Sequence, residues 1–312
     1  MLLLLLACAP KPDPDATVDT DWIAGAPLLS PLQENGTVAL DGEVWVLGGY
    51  NSVGRTTARV EAYDPVADAW RVAADLPDRI HHANAAAFDG QLFVLGVLEG
   101  LSFEEVGAVL IYDPGTDTWA EGAAMNTPRA ASAVGVIGDR VYVAGGLIDS
   151  EAVADFSAYI PAEDRWETLP PMPTARDHAG AGVVGGRLVV AGGRRGSIDS
   201  HMTTVEAWDP AAGTWESLAP LPASRGGIAA AVWDDRLYAI GGEGDPDDDH
   251  RVFDDVTVYD PAADVWAILD PMPTPRHGTG AVAVDGVLWV PGGATKAGLG
   301  PVDANEGLVV EP

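Results

Sequence analysis

The sequence predicts an all-β protein, a six-bladed β-propeller with four antiparallel strands per blade. Three observations predict it. Tryptophan recurs about every 48 residues, at Trp22, Trp70, Trp119, Trp166, Trp215 and Trp266. A glycine pair or its remnant keeps the same period: Gly48-Gly49, Gly96-Val97, Gly145-Gly146, Gly192-Gly193, Gly241-Gly242 and Gly292-Gly293. Each period holds four short β-prone runs separated by turn residues.

The elements follow in chain order. Leu2 to Leu6, Ala7 and Cys8 form an apolar run ending in a small residue and the chain's single cysteine. Leu5-Leu6-Ala7-Cys8 resembles the bacterial lipobox, which implies lipidation at Cys8. Residues 1–8 are therefore expected to be an export signal, 9–20 a Pro/Asp-rich tether, and 21–312 the propeller. The expected location is the bacterial cell envelope, lipid-anchored on the periplasmic or cell-surface side.

Within the propeller, the fourth repeat is the clearest. Ala179 to Val184 is a first strand, and Gly185-Gly186 a two-residue hairpin turn. Arg187 to Ala191 runs to the glycine pair. Thr204 to Trp208 is a third strand, turned by Asp209-Pro210, and Trp215 to Leu218 a fourth. The hairpin turn recurs as Asp41-Gly42, Asp89-Gly90, Gly138-Asp139, Asp234-Asp235 and Asp285-Gly286. First strands are rich in Ala, Gly and Val, small enough to crowd around an axis. The last repeat ends without a tryptophan strand, while Trp22 opens the chain without a blade. Residues 21 to 24 are therefore expected to supply the outer strand of the sixth blade, closing the ring and leaving no unpaired joint.

The glycine pair, the aromatic-Asp-Pro of Tyr63-Asp64-Pro65, Tyr112-Asp113-Pro114 and Tyr259-Asp260-Pro261, and the tryptophan together resemble the kelch repeat over residues 21 to 312. Departures are local: Val97 for the second glycine, Ile160 for Asp, and Trp208 for Tyr. The aromatics are expected to pack between blades rather than bind a ligand.

Composition narrows the function. A net charge of −30 excludes phosphate-backbone partners, so no nucleic acid is expected. With Cys8 the only cysteine, no intramolecular disulfide forms and thiol chemistry within the propeller is excluded. No cofactor and no metal are expected, and a monomer is. Asp245-Pro-Asp247-Asp-Asp249 alternates oxygen ligands but lacks the glycine a calcium loop needs, and reads as a solvated acidic loop.

Candidate ligand-binding residues break the repeat or recur near the axis. Strand order puts the segments after each glycine pair on one face, including 50–57, 97–106 and 194–203, where long loops form the default binding surface. Arg129, Arg176, Arg225 and Arg276 recur before the glycine pairs, with Leu32 at that place in blade one and Arg79 one residue off register in blade two. They read either as inter-blade ties or as a guanidinium ring for a carboxylate. Two residues beyond that register stand His82 and His178, where the resemblance implies ligand contact. Arg194, Arg195, His201 and Glu243 complete the candidates, with Glu34, Arg55 and Arg251 as further unrepeated residues.

The expected function is an exported, lipid-anchored binding module whose partner is a protein or a carbohydrate. No convincing catalytic set is present. The alternative is an exported sugar-acid mutarotase or epimerase with an arginine-lined channel mouth, as the resemblance to exported kelch propellers implies.

Overall fold

The computed structural model describes residues 22–101 and 103–310. The expected export signal, the tether and Cys8 lie outside the described residues. Six antiparallel sheets follow one another around an axis, five of four strands and, in blade two, one of five, where Ile80–His81 adds to the Gln91–Glu99 strand. Blade four shows the plan: Gly180–Val184 innermost, then Arg187–Ala191, Val205–Asp209 and Thr214–Leu218 outermost. The two middle strands are buried, because they are sandwiched between neighbouring blades. The outer strand faces water along most of its length.

Ring closure is as expected from the sequence. Trp22–Ala24 pairs antiparallel with Asn305–Val309, Trp22 opposite Leu308, and completes blade six with Val287–Pro291 and Val282–Val284. The first strand among the described residues thus binds the last, and every blade is covered by a neighbour on both faces.

The apolar core is divided among the blade interfaces. One cluster joins Val189, Ala191, Val205 and Ala207 of blade four to Leu237, Ala239 and Tyr259 of blade five. Equivalent clusters lie at the other five interfaces. Burial of each Val or Leu stabilises by about 1.5–3 kcal/mol, so no single interface dominates.

The periodic aromatics do more than pack. In blade two, Asp117 Oδ1 accepts the backbone N–H of Ala74 in blade one at 2.8 Å, and Trp119 Nε1 donates to the Ala74 carbonyl at 3.0 Å. Tyr112 donates its hydroxyl to the same Asp117 carboxylate at 2.6 Å. One aspartate and one tryptophan therefore saturate both backbone groups of a residue at the end of the preceding outer strand. The same latch joins Asp68 and Trp70 to Ala26, Asp164 and Trp166 to Ala123, and Asp264 and Trp266 to Ala219. The aspartates sit in left-handed backbone, φ 48, 53, 47 and 51° in chain order, which Asp tolerates better than most residues. Blade four keeps only the tryptophan half: Trp215 Nε1 donates to the carbonyl of Pro170, the equivalent residue, while Gly213 takes the aspartate's place, Trp208 the tyrosine's, and proline has no N–H to offer.

The glycine pair has a steric reason. At Gly49, φ is +97° and a Cβ would lie 2.6 Å from the Gln33 carbonyl oxygen. Blade two has Val97 there, and the chain does not break. The segment 97–106, expected to be a loop, is largely strand: Gln91–Glu99 and Glu104–Asp113 run on past a bulge at Leu95/Val97. The missing N–H contact to the next blade is replaced by Asn84, whose Nδ2 donates to the carbonyls of Leu95 and Arg129 at 2.9 and 3.0 Å.

Candidate functional site

The four register arginines are not at the channel surface. Arg129, Arg176, Arg225 and Arg276 are each at most 1% exposed. Arg129 donates to the carbonyls of Gly145 and Val143 and to Ser157 Oγ. Arg176 pairs with Glu206 and donates to the carbonyls of Gly192 and Thr204. Arg276 pairs with Glu306 at 2.7 Å, and Arg225 with Asp255 at 2.8 Å while lying over the Phe253 ring. Each side chain turns into its own blade and ties the glycine-pair bend to the third strand. The contacts are to carbonyls and carboxylates, as the tie reading expected, but they run within one blade and not between blades, and no guanidinium opens to the channel. Blade two has Ile80 in the arginine's register and Leu110 in the acid's, and both lie in one apolar cluster. Blade one keeps a buried Glu61 but lacks the arginine, and Arg59 reaches the carboxylate at 2.6 Å.

Two residues further on, the chain reaches the axis. Glu34, His82, Ala131, His178, Gly227 and Gly278 occupy the same place in the six blades, all in left-handed backbone with φ between 52 and 65°. Each N–H donates to the carbonyl of its counterpart in the preceding blade: His82 to Glu34, Ala131 to His82, His178 to Ala131, Gly227 to His178, Gly278 to Gly227 and Glu34 to Gly278, at 2.5 to 3.1 Å. Six peptide groups therefore form a closed hydrogen-bonded ring around the axis. Below it runs a channel of about 190 Å³ lined by small residues such as Thr37, Ala85, Ala181 and Ala281.

The ring's side chains are Glu, His, Ala, His, Gly and Gly, and the polar ones gather. His82 Nε2 lies 3.2 Å from Glu34 Oε2, and the His82 and His178 rings stack edge to face at 4.7 Å. His178 Nδ1 is 2.5 Å from Asp177 Oδ1, and its Nε2 is 2.9 Å from Arg194 Nη2. Arg194 Nε also reaches Asp177 at 3.1 Å, and Nη1 bonds Glu243. His277 Nδ1 stands 3.7 Å from Glu243 and 4.0 Å from Glu34, and His201 Nε2 3.6 Å from Glu243. His81 touches His82 through Nδ1, and Tyr50 and the Gly100 carbonyl through Nε2, at 2.9 and 3.0 Å. Five of the chain's six histidines thus converge on one mouth of the channel. The blade-two hairpin leans over them, with Phe103 edge-on to His81 at 5.0 Å.

Burial and neighbouring charge set the protonation states. Burial pushes His82 well below the ordinary imidazole value, and His178, His81 and Arg194 beside it add to the shift. Burial also holds His81 down at about 4. For Glu243 burial alone would raise the carboxyl, but His201, Arg194, His277 and His178 outweigh it and hold the group at about 2. Burial likewise opposes ionisation of Asp177, yet His178, Arg194 and the Gly196 N–H lower it below the ordinary value. Tyr50 is raised to about 12 by burial, with Glu34 contributing. The formal charges are three carboxylates, Glu34, Asp177 and Glu243, against one guanidinium. The site is therefore built for a cation or a hydrogen-bonding ligand rather than an anion.

Of the sequence candidates, His82, His178, Arg194, His201, Glu243 and Glu34 come together here. Arg195 and Arg55 lie apart on exposed loops, and Arg251 pairs at the surface with Asp199. The residues 245–249 form an exposed turn stabilised by their own side chains, such as Asp245 Oδ1 accepting the Asp247 N–H. His81, Asp177, His277 and Tyr50 escaped the sequence reading. The signal for the first three was available: each directly precedes a ring residue, a register not considered because only its neighbours were.

The KLHDC2/KLHL20/DRC7 Kelch-repeats domain model matches residues 125–293, more than half of the chain, and the Kelch motif model matches residues 33–77. The chain belongs to the kelch-repeat family. Curated relatives include Kelch-like protein terF of Aspergillus terreus, 32% identical over 47% of this chain and 35% of that protein. Kelch-like protein 35 of Mus musculus is 30% identical over 40% of this chain and 21% of that protein. Alpha-scruin of Limulus polyphemus is 24% identical over 42% and 14%. The chain spans about a third or less of the length of these relatives. Among solved structures, that of YjhT superposes with a TM-score of 0.76 at 17% identity, covering 89% of this chain and 95% of that one, a likeness of fold. Kelch propellers are commonly protein-interaction modules.

Proposed function

We propose that this kelch propeller is an exported, lipid-anchored binding module that takes a partner on its loop face, over the axial cluster. One observation carries the reading. The repeated residues are consumed by the frame, whereas the unrepeated polar residues converge on one mouth of the channel. Around that mouth the loops present exposed apolar tips, Val53, Leu101, Ile198 and Leu299, on segments that also carry Glu104, Asp199 and Asp245. An acidic face with apolar points suits a partner with basic and apolar side chains. The opposite face offers only short turns.

The test uses chemical crosslinking in envelope preparations. Capture of one defined partner should be lost in a Leu101→Ser/Ile198→Ser variant and kept in an Asp41→Asn/Asp89→Asn variant of the opposite face. Equal loss in both variants, or no partner at all, would remove the loop-face reading. The anchor is tested separately: fatty-acid labelling should disappear in Cys8→Ser. The sugar-acid isomerase alternative required arginines open to the channel, and the four that suggested it are covered by protein.

A further inference from the structure

We infer that the axial cluster is a binding site for a divalent transition-metal cation of the zinc class, held by Glu34, His82 and His178. The inference is independent of any partner on the loop face. Ligand atoms of these three residues all lie within 4.8 Å of one another. They come from blades one, two and four, on a ring whose backbone is locked by six hydrogen bonds. Two imidazoles and one carboxylate, with remaining positions open, suit borderline cations and not calcium or magnesium, which take oxygen ligands.

The contacts around His82 suit a bound cation. Glu34, His82, His81 and the Gly100 carbonyl form a chain with three close contacts: Glu34 Oε2 to His82 Nε2, His82 Nδ1 to His81 Nδ1, and His81 Nε2 to the Gly100 oxygen. Each contact needs one proton between its two acceptors. Two neutral imidazoles supply two, and the third contact can be filled by one more proton or by a metal ion. Tyr50 can cap His81 Nε2 at 2.9 Å, but that leaves a bare nitrogen 3.0 Å from the Gly100 oxygen. If instead His81 donates to Gly100 and His82 donates to His81, the unfilled contact is His82 Nε2 against Glu34, 3.2 Å apart. Two ligands on a tetrahedral zinc at about 2.0–2.1 Å stand about 3.3 Å apart, so a metal fits that contact without moving either group.

His178 is prepared in the same way. Asp177 accepts its Nδ1–H, so Nε2 presents a lone pair. A carboxylate behind a histidine fixes the tautomer and raises its basicity, the usual outer shell of a metal ligand. Arg194 Nη2 now occupies that lone pair at 2.9 Å. Its charge is balanced by Asp177 and Glu243, so it can release His178 while keeping both carboxylates. The metal would thus compete with Arg194 for one nitrogen.

The backbone supplies clean variants. His82 and His178 have φ of 52 and 53°, where glycine is at ease, and Gly227 and Gly278 already fill the same ring position. The experiment is calorimetric titration of the metal-stripped chain with Zn²⁺, with metal content measured after gel filtration. One equivalent per chain is expected. His178→Gly and Glu34→Gln should each weaken binding at least ten-fold while the melting temperature stays near wild type. Asp177→Asn should weaken it about 10–100-fold, as loss of an outer-shell partner does. Arg194→Gln should tighten it, and His250→Ala, on the exposed loop, should leave it unchanged. Substoichiometric binding, equal binding of Ca²⁺, or affinity indifferent to Glu34→Gln and His178→Gly would overturn the assignment.

Discussion

The latches at the blade edges and the ring at the axis are both built on left-handed backbone, and they use it in opposite ways. At the edge, Asp68, Asp117, Asp164 and Asp264 repeat the same residue, conformation and partners. At the axis, six residues repeat the conformation and the hydrogen bond, but the side chains are Glu, His, Ala, His, Gly and Gly. The edge needs its side chains to hold the frame. The axis holds itself through main-chain groups, which frees its side chains. Non-glycine residues in such backbone are disfavoured by about 1 kcal/mol or more; Ala131 bears that cost with no polar group, whereas Glu34, His82 and His178 bring theirs together at the channel mouth.

Five variants sharpen this contrast. The largest effect belongs to the buried frame. Arg176→Ala strands Glu206 in the interior and should cost about 3–5 kcal/mol in denaturant unfolding. The double change Arg176→Ile/Glu206→Leu copies the Ile80–Leu110 pair of blade two and should recover most of that loss, because an apolar pair can replace a buried ion pair nearly neutrally. If the double variant is as unstable as the single one, the ion pair contributes more than its own charge balance. Next, Trp119→Phe keeps an aromatic surface but removes the indole N–H from the Ala74 carbonyl. It should cost about 1 kcal/mol for the lost hydrogen bond, plus some packing.

The aspartate of the latch gives a pH signature. The Ala74 N–H and the Tyr112 hydroxyl hold Asp117 below its ordinary value of 3.8, Tyr112 contributing most. A carboxyl depressed in the folded state contributes stability above the unfolded value and loses it as pH falls through the folded one. The melting-temperature gap between wild type and Asp117→Asn should therefore be open at pH 7 and close below about pH 3.8. A gap that persists into strong acid would mean that packing, not the carboxylate, carries the latch. The smallest effect belongs to the axis. His82→Gly should change thermal stability by less than about 1 kcal/mol, since relief of the backbone offsets the added chain entropy. A large loss there would erase the distinction between edge and axis.

Much of the fold was legible because its causes are local. Glycine pairs mark bends where a Cβ collides with a carbonyl, and Asp-Gly and Asp-Pro mark turns. The orphan strand at Trp22 had one place to go. Even the blade-two hairpin had a local sign, since Val97 removes the second bend and the strand simply continues. The candidate site was only half legible. His82, His178, Arg194, His201, Glu243 and Glu34 stood out as breaks in the repeat. The direction of Arg129, Arg176, Arg225 and Arg276 did not follow from their register, because position in a repeat does not tell whether a long side chain turns toward the axis or into its own blade. His277 and His81 looked ordinary until their neighbours in space were known.

By itself, the sequence determined the blade count, the strand order and the closure, since each rests on contacts within one period or between adjacent ones. Only the tertiary structure decided which unrepeated residues share a site. Closing the ring brings residues as distant as Glu34 and His277 to within 4.0 Å, and that proximity depends on the summed rotation of all six blades.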